Sequence, residues 1–360
     1  MKYLNGSNSK LKNKTGLLFL ICLVWVYLVI LAGGTVRATG AGLGCPDWPL
    51  CFGQLVPPMS INDLPEKWIN LLPSDSYGEP SFNPVHTWTE YINRLLGALL
   101  GIFCIFLVYS ARSFVKVRPS IFWFAIGALL SVGFNGWLGS LVVSSELKPI
   151  MVSLHMLGAF AVQAFLIAGI LNYRNFHSPA PAKLKKIKGL KFLLILLFLS
   201  LLVQIGLGIQ IRESIDWIIK TTEQVERANL IQLVPWIFYV HRSFSWMIFL
   251  LAIFTLFKIF SNINFDRQSN DTSRSYIDNF FYALKSNALF KYVFMFFVLV
   301  CLQMFIGGAL NHLDFPISAQ PIHLLAANLL FGLLCFAWGS YDEIISDNSS
   351  VNLKQQMVIP

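Results

Sequence analysis

The stretch Phe238-Tyr-Val-His-Arg-Ser-Phe-Ser245 decides the fold of this chain, because the other polar landmarks can be aligned or paired with it. It opens a long apolar run and places His241 directly before an arginine. An earlier stretch, Glu90-Tyr-Ile-Asn-Arg-Leu-Leu-Gly97, has the same arrangement, with Asn93 at the position of His241. The two stretches lie 148 residues apart, so the chain contains an internal repeat.

Two further pairs of stretches repeat in the same order. Asn135-Gly-Trp-Leu-Gly139 leads to His155, and Gln303-Met-Phe-Ile-Gly307 leads to His323, with a constant offset of 168 residues. The third and shortest pair is Gly33-Gly-Thr-Val-Arg37 with Gly208-Ile-Gln-Ile-Arg212. Three matched landmarks in one order predict a duplicated membrane unit.

The composition indicates an integral membrane protein. Of 360 residues, 56% are hydrophobic and only 12% are charged, whereas soluble domains carry about 25% charged residues. The net charge of +9 could suggest nucleic acid as a partner. However, the basic residues lie in short loops beside apolar runs, which is typical of charges that set membrane topology. We therefore expect no nucleic-acid partner.

Eight apolar runs of about 20 residues are each long enough to cross a bilayer as a helix. They lie near residues 16–37, 85–110, 119–143, 150–172, 190–211, 234–260, 289–311 and 319–340. The first run lacks a small-residue cleavage site, so we expect a retained helix rather than a signal peptide. Basic and acid-leaning loops alternate along the chain, and the positive-inside rule places both termini in the cytoplasm.

The predicted fold is an all-α integral membrane protein with eight transmembrane helices in two repeated four-helix bundles. The predicted division of the chain is an N-terminal half at 1–175 with a long outer loop at 38–84, a basic cytoplasmic linker at 176–189, a C-terminal half at 190–341 and a cytoplasmic tail at 342–360. A loop as long as 38–84 is usually functional.

Three histidines are the main candidates for a binding site. His155, His241 and His323 each fall within the first two turns of an even-numbered span, which places them at a similar depth in the outer leaflet. A single intramembrane histidine can simply join two helices by a hydrogen bond. Three at matched positions favour ligands, because burying ionisable groups in a membrane is costly.

Haem suits these histidines better than zinc does. Zinc requires three or four clustered ligands, and the sequence places no cysteine or carboxylate at the depth of His241 and His323. Two histidines from facing helices are typical ligands of a bis-imidazole haem. Arg94 and Arg242 adjoin the ligand positions and could pair with haem propionates, or they could extend to the membrane interface.

The first half differs from the second at the ligand position. Asn93 is a weak iron ligand, and Glu90 and His86 precede it on roughly the same helix face. A carboxylate beside a haem edge could transfer protons or stabilise a cationic intermediate; alternatively, Glu90 only complements the dipole of the helix start. The second copy has Phe238 at the position of Glu90, so chemistry is expected in the first half only.

Two cysteines of the outer loop, Cys45 and Cys51, flank the sequence Pro-Asp-Trp-Pro-Leu. In an oxidising exterior they are close enough in sequence to form a disulfide. A metal-binding pair is the alternative, although further ligands are missing nearby. A reversible redox role also stays open.

The run from Gly33 to Gln54, with its glycine-rich start and its Cys-Pro-Asp-Trp-Pro-Leu-Cys segment, resembles the first outer loop of heme A synthases. The Glu-x-x-(His)-Arg phrase at 90–94 and the three histidines also follow that family's order. The resemblance implies an eight-helix duplicated fold that oxidises the C8 methyl of heme O to the formyl of heme A. It implies a b-type haem bound by His241 and His323, and substrate haem near His155 and Glu90 under the outer loop.

One departure from the family pattern concerns Asn93, where the family usually has histidine. Either His86 replaces the missing ligand, or His155 alone holds the substrate haem. The implied partners are a heme O synthase, a terminal oxidase and an unidentified electron-transfer partner, in a bacterial inner (cytoplasmic) membrane; a homo-oligomer stays open. The alternatives are a non-catalytic membrane b-type cytochrome and a haem-handling oxidase assembly protein. Glu90, present in one half only, favours the enzyme.

Overall fold

The computed structural model describes residues 7–72, 81–177, 187–221, 229–263 and 275–356. Within these ranges the secondary structure is helical, apart from one isolated bridge between Cys51 and Gln54. Most of the predicted basic linker (178–186), part of the predicted outer loop (73–80) and the end of the predicted tail (357–360) lie outside the described residues.

In the described part of the chain, eight helices are long and apolar enough to cross a membrane, and each of the eight predicted spans coincides with one of them. In chain order the helices are α1 (Ser7–Thr39), α2 (Glu66–Ile69), α3 (Pro84–Ala111), α4 (Pro119–Ser144), α5 (Pro149–His177), α6 (Leu190–Thr221), α7 (Leu230–Leu233), α8 (Ile237–Phe260), α9 (Tyr276–Ser286), α10 (Ala288–His312) and α11 (Ala319–Gln356). Short α2, α7 and α9 are additions to the prediction, and α11 continues beyond the predicted start of the tail.

The ends of α1 and α3 follow from local sequence. Gly40, with a φ of 75°, ends α1, and the Ala41 N–H donates to the Val36 carbonyl at 2.9 Å, which is a glycine-based helix stop. Pro84 occupies the start of α3, and the side chain of Asn83 accepts a hydrogen bond from His86 N at 3.1 Å. This cap fixes where α3 begins, and so fixes the positions of the following residues along the helix axis.

The chain divides into two compact units. The first comprises Met1–Gly169 with Ala309–Leu325, and the second comprises Ile170–Gly308 with Ala326–Pro360. In the first unit α3 packs against α1 and α4, and in the second unit α6 packs against α8. The predicted halves at 1–175 and 190–341 stay a prediction.

The packing of α1 on α3 uses polar contacts as well as apolar ones. The indole N–H of Trp25 donates to the Leu96 carbonyl at 2.9 Å, and its ring meets Phe103 edge to face at 4.9 Å. Nearer the start of α1, the hydroxyls of Thr15 and Ser110 are 2.6 Å apart. These contacts fix the register of the two helices, because a buried hydroxyl or indole N–H without a partner is costly.

An amphipathic helix, α9, connects two spans of the second unit. It starts with a capping box, in which Ser275 caps the helix and Asp278 reaches back to the Ser275 N–H at 3.2 Å. Phe280 of α9 packs against Phe260 at the end of α8 and Phe290 at the start of α10, with ring centroids 6.4 and 5.7 Å away. The connection is thus held against the ends of the spans that it joins.

Candidate functional site

The loop that follows α1, residues 40–72 and called here the first loop, closes into a compact turn at its cysteines. Cys45 and Cys51 form a disulfide, which confirms the predicted pairing over a metal-binding pair. Cys51 and Gln54 exchange two backbone hydrogen bonds of 2.9 and 3.1 Å. The carboxylate of Asp47 accepts the backbone N–H groups of Phe52 at 2.6 Å and Gly53 at 2.8 Å.

The first loop has a small apolar core of its own. Cys45, Cys51, Phe52 and Leu64 are buried together. The ring of Phe52 meets Trp68 of α2 edge to face, with centroids 5.7 Å apart. A loop with buried apolar contacts holds a defined shape, so this segment can present fixed backbone groups to the helix below it.

The first loop docks on the start of α3 at close range. A Cβ added to Gly44 would lie 2.4 Å from the carbonyl oxygen of His86, so only glycine fits there. The hydroxyl of Thr87 donates to the Gly44 carbonyl at 2.9 Å, and that of Tyr91 donates to the Leu55 carbonyl at 2.5 Å. Successive turns of α3 thus bind successive parts of the loop.

Glu90 lies directly beneath this docked loop. It is 4% exposed, and its Oε2 accepts the Cys45 N–H at 2.9 Å. Its Oε1 accepts from Arg94, at 2.5 Å from Nη2 and 3.1 Å from Nε. A buried carboxylate needs such partners to offset the loss of water, and here they come from the next turn of α3 and from the disulfide loop.

Arg94 connects Glu90 to the loop through every donor that it has. Nη1 donates to the carbonyls of Asp47 at 2.6 Å and Leu50 at 2.9 Å, and Nη2 donates to that of Cys45 at 2.9 Å. Together with the two bonds to Glu90, these contacts use all five guanidinium N–H groups. The propionate contact predicted for Arg94 therefore requires that one of these partners be displaced.

His155 is oriented by the helix before it. It lies on the second turn of α5, and its Nδ1 is 3.0 Å from the carbonyl oxygen of Asn135 on α4. A ring nitrogen that donates to a carbonyl leaves the other nitrogen, Nε2, as the one able to bind a metal. A Cβ on Gly139 would lie 3.2 Å from Cε1 of His155, so α4 approaches the imidazole through a residue without a side chain.

Asn93 faces α1 at another glycine. A Cβ added to Gly33 would lie 3.6 Å from Oδ1 of Asn93. This oxygen is buried and has no hydrogen-bond partner among the described residues. His86 lies seven residues earlier on the same continuous helix, which corresponds to about 10 Å along the axis. The structure thus places Asn93 and His86 at different levels of α3.

His241 in the second unit lies beside a glycine of another helix, as His155 does in the first unit. It lies on the second turn of α8, and a Cβ on Gly208 of α6 would be 3.3 Å from its Cε1. The amide nitrogen of Gln204 donates to the His241 carbonyl at 3.0 Å and lies 3.5 Å from Nε2. The next residue, Arg242, is exposed, and its guanidinium lies 5.4 Å from the centroid of the Tyr239 ring.

His323 lies on the second turn of α11 and is partly buried. It belongs to the first compact unit, whereas His241 belongs to the second. Their predicted pairing on one haem stays a prediction.

The donor set suits haem more than a bare metal ion. Among the described residues, no three His, Cys, Asp or Glu side chains form a group able to hold an ion. Haem iron needs only one or two axial protein ligands. His155 offers Nε2 with the ring oriented, and glycines let α4 and α6 approach the rings of His155 and His241 closely. These features fit imidazole ligation of a haem.

Comparison with known proteins identifies the family. Residues 16–335 match the model of the family described as Cytochrome oxidase assembly protein. The chain belongs to this family. The match includes all eight spans apart from the ends of the first and last, so the repeated histidines, Glu90 and the disulfide loop all lie within it.

Several curated proteins that are similar to this chain carry the name Heme A synthase. The chain is 33% identical over 157 residues to one from Shewanella oneidensis, a match that covers 43% of this chain and 44% of the relative. It is 30% identical over 200 residues to one from Nitrosomonas eutropha (49% and 53%) and 27% identical over 159 residues to one from Shouchella clausii (44% and 44%). The chain spans about half the length of these relatives.

Three features of this site were not predicted from the sequence. Gln204 was missed although it is a polar residue inside an apolar run, which is itself a signal of function in a membrane helix. The contacts of the Asn135 carbonyl and the close approach at Gly44 leave no signal in the sequence, because both depend on how separate helices and loops pack.

Proposed function

We propose that this protein is a heme A synthase, which oxidises the C8 methyl group of heme O to a formyl group and so supplies heme A for terminal oxidase assembly. The single observation that carries the proposal is Glu90, a carboxylate buried under the disulfide loop on the same helix as the ligand-position residue Asn93. The corresponding position of the second half is Phe238. Family membership and the relatives named Heme A synthase support the same activity.

The proposed reaction makes demands that these residues can meet. Conversion of a methyl to a formyl group replaces two C–H bonds with a C=O bond. Written with one water molecule as the oxygen source, it releases four electrons, which pass to an external acceptor, and four protons. Glu90 accepts protons, because its carboxylate lies in a site from which the first loop excludes water. The Glu90 partners Arg94 and Cys45 hold the carboxylate in one position, which is the preorganisation that proton transfer requires.

His155 is the proposed protein ligand of the substrate haem. The Asn135 carbonyl holds Nδ1 and so directs Nε2 to the iron. Asn93 and His86 belong to the same proposed substrate site by their position on α3, and the first loop covers it. The proposal thus assigns the reaction to the N-terminal half of the chain.

The second half is proposed to hold a resident b-type haem between His241 and His323, with Arg242 at its propionates. A bis-histidine haem supplies reversible one-electron transfer. Gln204 orients His241 by binding its backbone carbonyl, and Gly208 lets α6 approach the ring closely. The matching glycine contacts, Gly33 to Asn93 and Gly208 to His241, support the view that the halves are two repeated four-helix bundles.

The proposed setting follows from charge and chemistry. Basic loops place both termini in the cytoplasm of a bacterium, with the protein in the inner membrane and the first loop on the outer side. A heme O synthase would provide the substrate, a terminal oxidase would receive the product, and a separate electron-transfer partner would take electrons from the b haem.

A second candidate function is a haem-handling assembly protein without catalysis. The observation that favours it is the full engagement of Arg94 and Glu90 with the first loop, which is also what a purely structural ion pair would show. The two functions differ in whether heme O is converted.

The test is haem extraction and chromatography from cells that produce this protein together with a heme O synthase. The enzyme converts heme O to heme A, and the Glu90→Gln variant accumulates heme O. A protein that binds haem but leaves heme O unconverted would support the assembly function. Conversion by Glu90→Gln at the normal rate would remove Glu90 from the mechanism.

A further inference from the structure

We propose that the haem held by His155 has its opposite face open to a small exogenous ligand, and that the carboxamide of Asn93 is the hydrogen-bonding group for that ligand. This inference rests on the proposed function in placing a haem at His155 and in taking His241 as a haem ligand. It assigns Asn93 a role that differs from that of its counterpart in the second half. Ligands of suitable size and polarity are neutral or anionic groups of one to three heavy atoms, such as water or cyanide.

Asn93 and His241 lie in equivalent local surroundings. Each residue lies opposite a glycine of the preceding long helix, with Gly33 facing Asn93 at 3.6 Å and Gly208 facing His241 at 3.3 Å, both measured from the position of an added Cβ. The same local relation occurs in each compact unit. Asn93 therefore occupies a ligand position while carrying a side chain that binds iron weakly.

The side chain of Asn93 lacks a partner for its oxygen. Oδ1 is buried, and no group in the described part of the chain forms a hydrogen bond with it. Buried polar atoms without a partner are rare in native proteins, and each one calls for an explanation. A water molecule on the open face of the haem would supply the missing donor to Oδ1, and Nδ2 of the same carboxamide can donate to an anion such as cyanide.

His86 lies too far along α3 to replace Asn93 as a ligand. α3 is helical without interruption from Pro84 to Ala111, so His86 is about 10 Å from Asn93 along the axis. The backbone of His86 is fixed at both ends, because Asn83 caps its N–H and Gly44 packs on its carbonyl. Moving this residue to the level of Asn93 would require unwinding the docked start of the helix.

α1 contributes no polar side chain at Gly33, beside Asn93. A methyl group at Gly33 would be in ordinary contact with Oδ1 at 3.6 Å, so α1 approaches Asn93 with its backbone at this point.

The experiment measures the iron spin state of the purified oxidised protein after co-production with a heme O synthase and titration with haemin to saturation. The expected wild-type spectrum contains one low-spin bis-histidine haem and one high-spin haem, and cyanide converts only the high-spin signal. In Asn93→His the second haem becomes low-spin, and its cyanide affinity falls about ten-fold or more. In Asn93→Ala the haem stays high-spin, and the cyanide affinity falls about five-fold, as expected for one lost hydrogen bond.

The outcomes that overturn the inference are specific. They are a wild-type protein whose haems are all low-spin and unresponsive to cyanide, a protein that binds no second haem, or a His86→Ala variant that gains a high-spin signal absent from the wild type. Heme A formation is measured in the same cells. A cyanide-responsive high-spin haem without heme A would retain this inference and reject the proposed enzyme. Heme A formed by a protein that has only low-spin haem would retain the proposed enzyme and reject this inference.

Discussion

Glu90 and Arg94 lie one turn apart on α3 and form an ion pair beneath the first loop, with 2.5 Å between Oε1 of Glu90 and Nη2 of Arg94. Arg94 also binds three backbone carbonyls of that loop, and Glu90 binds the N–H of Cys45. The carboxylate and the loop are thus held by the same contacts. Any change that loosens the loop should also displace Glu90.

Replacement of Arg94 tests this coupling. Arg94→Gln removes the charge that neutralises buried Glu90, and loss of one partner of a buried pair costs about 3–5 kcal/mol. We expect a lower thermal midpoint of the purified protein in detergent and faster tryptic cleavage at Lys67, the basic residue of the first loop.

The matched control for Arg94→Gln is Arg242→Gln, because Arg242 is exposed and occupies the equivalent repeat position. It should leave the cleavage rate at Lys67 unchanged. Equal cleavage rates in Arg94→Gln and the wild type would show that Arg94 does not anchor the loop.

Gly44 tests the close approach of the loop to α3. In Gly44→Ala the new methyl group would meet the His86 carbonyl oxygen at 2.4 Å, and backbone atoms cannot move aside easily. Forcing extra volume into such a contact costs about 1–3 kcal/mol. We expect faster cleavage at Lys67 and reduced heme A formation.

The control for Gly44→Ala is Gly101→Ala, in the middle of α3, where an added Cβ has open space. Alanine favours a helix by about 1 kcal/mol over glycine, so stability should be equal or higher. If the two alanine variants behave alike, the loop does not dock as described.

The proposed resident haem is tested with variants of His241 and of Gln204, which binds the His241 carbonyl. His241→Ala should remove the low-spin b-haem signal from the reduced-minus-oxidised spectrum, because an axial ligand is lost. Gln204→Leu keeps the ligand but loses the hydrogen bond to the His241 carbonyl. Such supporting contacts are worth about 10–100-fold in affinity, so the haem should be retained but dissociate more readily.

The control for these variants is His312→Ala, since His312 is exposed on the last turn of α10. Its spectrum should equal that of the wild type. An undiminished low-spin signal in His241→Ala would reject the ligand assignment.

The disulfide is tested by thiol counting in the denatured protein. Of six cysteines, four are free, so a maleimide should label four in the untreated protein and six after reduction. Cys45→Ser should leave five labelled without reduction, because the partner Cys51 is released. Cys301→Ser, which changes a free and exposed cysteine, should leave three. A count of six in the untreated wild type would contradict the pairing.

Sequence patterns predicted the eight spans well because hydropathy acts locally. The predicted run 119–143, for example, corresponds to α4 at Pro119–Ser144. The same reasoning missed α9, since an 11-residue helix bounded by Ser275 and Ser286 is too short and too polar at its ends to give a membrane signal. Its stability comes from packing on neighbouring helices, as is usual for short helices.

The site was predictable in its residue types but not in its contacts. Glu90, Cys45 and His155 could be selected because ionisable or reactive residues in or beside membrane spans are rare. Their mutual arrangement depends on contacts between residues more than 40 positions apart, such as Cys45 with Glu90. The role of Arg94 as loop anchor, in place of a free propionate partner, follows from that tertiary arrangement.

The division of labour between the halves is the central claim, and it is tested most directly in His155→Ala produced together with a heme O synthase. The measurement combines haem chromatography with the reduced-minus-oxidised spectrum of the purified protein. We predict a retained low-spin b haem, which also shows that the variant folds, and no heme A. Heme A at the wild-type level in this variant would contradict the account.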